Sequence, residues 1–206
     1  MTLKEVQQLY AAHPSITGLR GMLSDASVHH IYCGGLQASS ASLMASVLAA
    51  DGNIPLFFIL GDQEEAGYFY HDLTQILGDE QVLFFPSSFR RAIKYGQKDA
   101  ANEVLRTEVL SRLSKGDCRG LCIVTYPDAV AEKVVPKEEL KDKTLTLHRG
   151  ERVDMKFVTD LLHSLGFEYV DYVYEPGQYA VRGSIIDVFS FSSEFPYRID
   201  FFGDEV

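Results

Sequence analysis

The chain has 206 residues, of which 46% are hydrophobic and 23% charged, and it carries a formal net charge of −10 at pH 7. It is long enough for one or two globular domains, contains no apolar run of about 18 residues that would span a membrane, and begins with a polar segment rather than a secretory signal. Because 19 Lys and Arg face 29 Asp and Glu, the basic stripe that non-specific nucleic-acid binding requires is missing, and we expect no DNA or RNA binding by this chain alone.

The three cysteines, Cys33, Cys118 and Cys122, are an odd number, lie far apart and stand in apolar runs. This usage is typical of buried free thiols in a reducing compartment, so we expect a cytoplasmic protein without disulfides. The six histidines are scattered and share no ligand spacing with the cysteines, and we therefore expect no metal site.

An N-terminal helix is predicted by Thr2 and Glu5, which have the spacing of a capping box, and by the apolar stripe of Leu3, Val6 and Tyr10. The helix either packs on the rest of its domain or binds a partner. The pattern alone leaves both alternatives open.

The next part of the chain alternates apolar runs with segments of helical periodicity. The predicted elements are, in order, a strand at 29–34, a helix at 38–50, a buried strand at 55–60, a helix at 63–77, a strand at 81–85, a helix capped by Asp99 that ends near Gly116, and a strand at 121–125. Continuous apolar strands separated by helices are typical of a parallel sheet covered on both faces, which predicts an α/β fold.

A charged, proline-containing stretch at 133–143 predicts a domain boundary. We expect an α/β domain with a P-loop-like, degenerate loop at 1–133 and a smaller α+β domain at 134–206. The predicted elements of the second domain are a strand at 144–148, a helix capped by Asp154 and stopped at Gly166, strands at 169–174, 178–189 and 197–202, and a hairpin loop at 190–196. The alternation of apolar and polar residues in these strands favours an antiparallel sheet with one solvated face.

The segment from Gly35 to Ser42 lies where an α/β nucleotide-binding domain has its phosphate loop. Such a loop has the pattern G-x-x-x-x-G-K-[ST], in which the lysine reaches the phosphates and the hydroxyl binds Mg²⁺. Ser40 stands at the second glycine position and Ala41 at the lysine position, so we expect no ATP hydrolysis. Weak anion binding at the helix N-terminus and a chance strand–turn–helix segment rich in small residues remain alternatives. No nucleophile elbow or HExxH motif is present, and we predict no catalytic residue.

The last predicted strand carries an unusual solvated face. Alternation places Arg198, Asp200 and Phe202 together on it, and Arg182 and Arg198 are the only Lys or Arg residues after Phe157. Arginine and aromatic side chains are enriched at the centres of protein interfaces, which favours a protein-binding surface. The alternative is that each arginine pairs with a neighbouring carboxylate and that Phe202 packs under a helix.

Two stretches in the final third of the chain carry a family resemblance. They are YEPGQYAVRGSIIDVF at 174–189 and YRIDFFGDEV at 197–206. In sequence and in order they resemble the module shared by the excision-repair subunit UvrB and the bacterial transcription-repair coupling factors. UvrB-like proteins keep the lysine that Ala41 replaces and carry a tyrosine-rich hairpin after the third strand. Both differences favour the N-terminal, UvrB-like module of the coupling factors.

The resemblance implies a non-catalytic module that binds UvrA, the damage-recognition ATPase, in imitation of UvrB. The family residues implicated in that contact correspond to Arg182, Arg198 and Phe202, the same three that the alternation singles out. The resemblance also implies that this chain is a fragment without a cofactor. In the full-length protein, ATP-driven DNA translocation and displacement of RNA polymerase would belong to later domains, which would also bind the ATP and Mg²⁺.

Two alternatives remain open beside UvrA recruitment. One is a UvrB-type nucleotide-binding repair domain with residual ATP affinity, against which Ser40 and Ala41 argue. The other is a clamp, in which this module docks on later domains of its own chain and masks the UvrA surface.

Overall fold

The computed structural model describes residues 1–50, 52, 54–89, 99–116, 118–134, 136, 144–191, 193 and 195–206. They form two compact units, one of Met1–Pro86 with Gly116–Ala131 and one of Ser87–Lys115 with Glu132–Val206. Most of the predicted linker at 133–143 lies outside the described residues. Within the described part of the chain, no helix is long and apolar enough to cross a bilayer.

The elements follow one another as α1 (Leu3–Ala11), α2 (Pro14–Ser24), α3 (Ser40–Ala50), β1 (Leu56–Ile59), α4 (Gln63–Leu77), β2 (Val82–Phe85), α5 (Ala100–Lys115), β3 (Cys122–Thr125), α6 (Pro127–Ala131), α7 (Met155–Ser164), β4 (Glu168–Tyr169), β5 (Gln178–Arg182), β6 (Ile185–Phe189) and β7 (Tyr197–Asp200). The helices predicted at 38–50 and 63–77, the helix after Asp99 and the helix after Asp154 are all confirmed.

The first unit is built on a parallel sheet of order β1-β3-β2, which confirms the α/β prediction for this part of the chain. The central strand β3 is buried along its whole length. The prediction that strand β1 is buried is wrong for one of its faces, where Phe57 and Ile59 are 53% and 56% exposed. As an edge strand, β1 is flanked by β3 on one side alone in the described sheet.

Helix α1 begins with the predicted capping box. The Glu5 N–H donates to Thr2 Oγ1 at 3.3 Å, and the Thr2 N–H donates to Glu5 Oε2 at 2.8 Å. Gln7 in α1 donates to Ser46 in α3 at 3.1 Å, so the helix packs within its own unit. Helix α2 was not predicted, although Pro14 at its first position is a typical start signal.

The strand predicted at 29–34 is wrong, since these residues form no ladder in the described structure. A strand gains stability by burying a face against neighbours, and here Tyr32 is 94% exposed. Cys33 is exposed too, against the expectation of three buried thiols, whereas Cys122 in β3 is buried. Burial raises the pKa of the Cys122 thiol to about 11.

The second unit contains a sheet of order β4-β5-β6-β7. Its β5–β6 and β6–β7 pairs are antiparallel, but β4 and β5 are parallel, so the expected antiparallel sheet is in fact mixed. Strand β4 has only two residues because the chain leaves the sheet after Val170 and loops back to begin β5 at the same end. The strand predicted at 169–174 is therefore mostly a loop.

Two further strand predictions for the second unit need correction. The strand predicted at 178–189 is two strands, β5 and β6, joined by a turn at Gly183 and Ser184. Gly183 has φ +60°, a conformation that glycine adopts at no steric cost and that suits a two-residue hairpin turn. The strand predicted at 144–148 forms no ladder in the described residues.

The core of the second unit lies between α7 and one face of the mixed sheet. Asp154 caps α7 as predicted, accepting from the Lys156 N–H at 2.8 Å. The buried residues of this core are Val158, Leu162, Tyr179, Ile186, Val188 and Phe201. Because α7 covers this face, the opposite face of the sheet presents the remaining side chains of β5, β6 and β7.

An ionic cluster joins the segment Ser87–Lys115 to Glu132 of the same unit. Glu132 accepts hydrogen bonds from Ser87 and from the backbone and hydroxyl of Ser88, and its carboxylate lies 3.5 Å from the Arg106 guanidinium in α5. Burial alone would raise the pKa of Glu132, but the two serines and Arg106 outweigh it, and the pKa is lowered. The boundary predicted between residues 133 and 134 stays a prediction.

Candidate protein-binding site

The candidate site is the sheet face opposite to α7, which we call the outer face. Side chains alternate between the two faces of a strand, so the residues that neighbour the core residues along each strand point to the outer face. Its side chains are Ala180 and Arg182 in β5, Ile185 and Asp187 in β6, and Arg198 and Asp200 in β7. The pairing aligns them in two rows across the strands, one of Ala180, Asp187 and Arg198, the other of Arg182, Ile185 and Asp200.

Arg198 is held in place by Asp187. Arg198 Nε and Nη2 donate to the two oxygens of Asp187 at 2.7 and 2.8 Å, a bidentate geometry. The carboxylate side chain is only 13% exposed, whereas the arginine side chain is 63% exposed. Within the described structure, Nη1 of Arg198 has no partner and remains available as a donor.

The charge of this pair is fixed over a wide pH range. The hydrogen bond from Arg198 is the largest influence on Asp187 and lowers its pKa; burial works against it, and the charges of Arg198 and Arg182 add to the lowering. The same hydrogen bond, together with the charge of Asp187, raises the pKa of Arg198. The pair is therefore ionised at neutral pH.

Arg182 is oriented by the loop that follows β4. Its Nη2 donates to the carbonyl oxygen of Asp171 at 2.7 Å, and its guanidinium carbon lies 4.4 Å from the centre of the Tyr172 ring. This is a cation–π arrangement. Arg182 was predicted from the sequence, but Tyr172 was not, because the prediction at 169–174 treated this loop as a strand.

Phe202 is the most exposed of the predicted site residues. Its ring is 93% exposed, although the neighbouring Phe201 is 4% exposed in the core. Phe202 and Glu205 exchange backbone hydrogen bonds of 2.8 and 3.2 Å around a two-residue turn. The first turn residue, Gly203, has φ +64°, which closes the hairpin directly beside the aromatic ring. The expectation that Phe202 faces away from the core is confirmed.

Arg182 and Phe202 lie near the same end of the sheet. The Phe201 N–H donates to the Ser184 carbonyl in the β5–β6 turn at 2.9 Å, and Arg182 immediately precedes that turn. The arrangement combines two oriented guanidinium groups with one exposed aromatic ring. Chemically, it suits a partner that offers carboxylate or carbonyl oxygens beside an apolar pocket. The assignment of the three residues to a partner stays a prediction.

The segment from Gly35 to Ser42, predicted to be a degenerate phosphate loop, does not have the surroundings of a nucleotide site. No strand precedes it in the described structure, and α3 begins at Ser40, whose hydroxyl accepts from the Gln37 N–H at 2.6 Å. Ser42, at the position of the Mg²⁺-binding hydroxyl, is 2% exposed and donates to Asp72 in α4 at 3.3 Å. Among the described residues, no group of three or more His, Cys, Asp or Glu is placed to hold a metal ion.

Comparison with known proteins gives two findings. Residues 145–206 match the model of the UvrB interaction domain family. The chain is 31% identical over 84% of its length to the transcription-repair-coupling factor of Bacillus subtilis and 39% identical over 82% of its length to that of Escherichia coli. It is 35% identical over 63% of its length to the factor of Haemophilus influenzae. The chain spans about 14% of the length of the first two of these relatives.

Proposed function

Because residues 145–206 belong to the UvrB interaction domain family and the chain is homologous to transcription-repair-coupling factors over four-fifths of its length, we propose that it is a non-catalytic module that recruits UvrA. In this proposal the outer face, with Arg182, Arg198 and the adjacent Phe202, is the UvrA-binding surface. It would bring the excision-repair machinery to RNA polymerase stalled at DNA damage, in the cytoplasm.

The exposure of Phe202 is the observation that carries the proposal. A phenylalanine that is 93% exposed contributes little to folding, whereas exposed aromatic and arginine side chains are typical of the centres of protein interfaces. The two arginines would donate charge-assisted hydrogen bonds to UvrA, and Phe202 would fill an apolar pocket.

The first unit, in this proposal, is a relative of the UvrB nucleotide-binding domain that has lost its phosphate site. Ala41 leaves no positive charge for the phosphates, and Ser42 is engaged with Asp72. ATP-driven translocation, DNA binding and RNA polymerase displacement would reside in other domains of the longer protein. Titration calorimetry with Mg-ATP is expected to give no heat of binding, and micromolar affinity would favour the alternative of a nucleotide-binding repair domain.

The test of UvrA recruitment is a biolayer measurement with purified, immobilised UvrA. The wild-type chain is compared with Arg198→Ala and with a control variant, Lys156→Ala. The control also removes one positive charge, but Lys156 is an exposed residue of α7, on the other side of the sheet. We expect Arg198→Ala to weaken binding by about tenfold or more, and Lys156→Ala to bind as the wild type does.

The outcomes separate the partner from the site. Thermal melting shows whether Arg198→Ala remains folded with Asp187 unpaired. A folded Arg198→Ala chain that binds UvrA as the wild type does would refute the assignment of the outer face. A folded wild-type chain that does not bind UvrA at all would refute recruitment.

A further inference from the structure

The loop after β4 places an aromatic ring beneath one of the two arginines of the outer face. Tyr172 is 61% exposed, so its position is not fixed by burial in the core. Its ring centre lies 4.4 Å from the guanidinium carbon of Arg182, and the preceding carbonyl, that of Asp171, accepts from Arg182 Nη2 at 2.7 Å. One face and one N–H of the guanidinium are thereby occupied.

The loop itself is tied to the sheet by Gln178, the first residue of β5. Gln178 Oε1 accepts from the backbone N–H groups of Tyr174 and Glu175 at 3.0 and 3.1 Å. Val170, at the start of the loop, donates from its N–H to the Tyr179 carbonyl at 2.9 Å. The loop is thus anchored on both sides of Tyr172, which gives the ring a fixed place from which to orient Arg182.

An exposed arginine side chain otherwise samples many rotamers, and ordering it on binding costs conformational entropy. A ring on one face and a carbonyl at one nitrogen reduce this cost, because they hold the guanidinium plane before the partner arrives. Within the described residues, Nε and Nη1 of Arg182 have no hydrogen-bond partner. Because Nε and Nη1 lie on different edges of the guanidinium, each edge keeps a donor for a carboxylate or carbonyl oxygen.

We propose that Tyr172 is a positioning residue of the UvrA-binding surface, which orients Arg182 toward a carboxylate or carbonyl group of the partner. This inference rests on the proposed function. It assigns to Tyr172 an effect on UvrA binding that is transmitted through Arg182 rather than through contact with UvrA. The aromatic ring, and not the hydroxyl, is the group that matters.

The test is a double-mutant cycle with the full 206-residue chain and immobilised UvrA. The variants are Tyr172→Leu, Tyr172→Phe, Arg182→Ala and the double variant Tyr172→Leu/Arg182→Ala. Tyr169→Leu is the matched control, since Tyr169 is 58% exposed and stacks edge-on against Tyr179 on the core side of the sheet. Far-UV circular dichroism and thermal melting verify that every variant is folded.

We expect Tyr172→Leu to weaken binding by about two- to fivefold, the range of exposed cation–π contacts. Tyr172→Phe and Tyr169→Leu should bind as the wild type does. In the Arg182→Ala background, Tyr172→Leu should cause no further loss, because its effect acts through that arginine. A general structural role would weaken binding equally in both backgrounds.

Four results would overturn the inference. Equal losses from Tyr172→Leu in both backgrounds would mean that Tyr172 does not act through Arg182. A loss from Tyr172→Phe would mean that the hydroxyl, and not the ring alone, contributes to binding. Wild-type binding by Tyr172→Leu, when Arg182→Ala binds weakly, would refute the inference and leave the proposed function standing. Wild-type binding by Arg182→Ala would refute the role of Arg182 in the proposed function, and the inference with it.

Discussion

Truncation of Phe202 to alanine separates an effect on binding from an effect on folding. The ring is 93% exposed, so its removal takes almost no contact away from the folded chain. We expect the free energy of unfolding to change by no more than about 0.5 kcal/mol, as for other exposed positions. The backbone hydrogen bonds that Phe202 exchanges with Glu205 do not depend on the side chain.

The expected effect of Phe202→Ala on UvrA binding is much larger. Burying a phenylalanine side chain that was exposed gains about 1.5–3 kcal/mol. If Phe202 fills a pocket on UvrA, its loss should therefore weaken the complex by about tenfold to one-hundred-and-fiftyfold. Titration calorimetry should also show a less negative heat-capacity change for the variant, because less apolar surface is buried on binding.

The control for this experiment is Phe157→Ala. Phe157 is 55% exposed and lies on α7, on the opposite side of the sheet. A folded Phe157→Ala chain should bind UvrA with wild-type affinity. If Phe202→Ala is folded and binds as tightly as the wild type, the ring is not an anchor and the reasoning from its exposure fails.

Three further predictions concern the folded chain itself. The carboxyl of Asp187, followed by carbon-detected NMR, should titrate below its ordinary value of 3.8, and Arg198→Ala should move the midpoint upward. Because folding lowers this pKa, the pair stabilises the folded chain fully above pH 3.8, and this stabilisation is lost as the pH falls through the folded-state pKa. A titration midpoint above 3.8 would contradict the pairing of Asp187 with Arg198. At pH 8, the thiolate fraction of Cys122 should be about one hundredth of that of a thiol with the ordinary pKa of 9.0. Iodoacetamide should therefore not label Cys122 until the chain unfolds. Rapid labelling of the native chain would contradict the burial of this thiol. Glu132→Ala should lower the free energy of unfolding by about 1–3 kcal/mol in urea denaturation, because it removes the acceptor of the Ser87 and Ser88 hydrogen bonds and a charge partner of Arg106. A change below about 1 kcal/mol would show that the cluster is not stabilising.

Elements with a strong local signal could be predicted from the sequence alone. Thr2 with Glu5 and Asp154 are side-chain caps whose hydrogen bonds form within a few residues, and both helices begin where these caps predict. Alternation also predicted the opposite faces of the two residues that follow Asp200, since Phe201 is buried and Phe202 exposed. In each case the information is contained in neighbouring residues.

The wrong predictions concern strands, whose existence depends on distant partners. The segment 29–34 has an apolar centre but no neighbouring strand in the described structure, and 169–174 leaves the sheet after Val170. A strand is stabilised by cross-strand pairing and burial, which a short apolar run does not specify by itself. The role of Tyr172 was missed for this reason, because it became visible only when the loop placed the ring under Arg182.

Competition with UvrB tests the central claim most directly. Immobilised UvrA is first saturated with this chain, and purified UvrB is then added at increasing concentration in the absence of DNA and RNA polymerase. If the outer face imitates the UvrA-binding surface of UvrB, UvrB should displace the chain completely. A stable complex of all three proteins, or a folded chain that does not bind UvrA, would contradict the account.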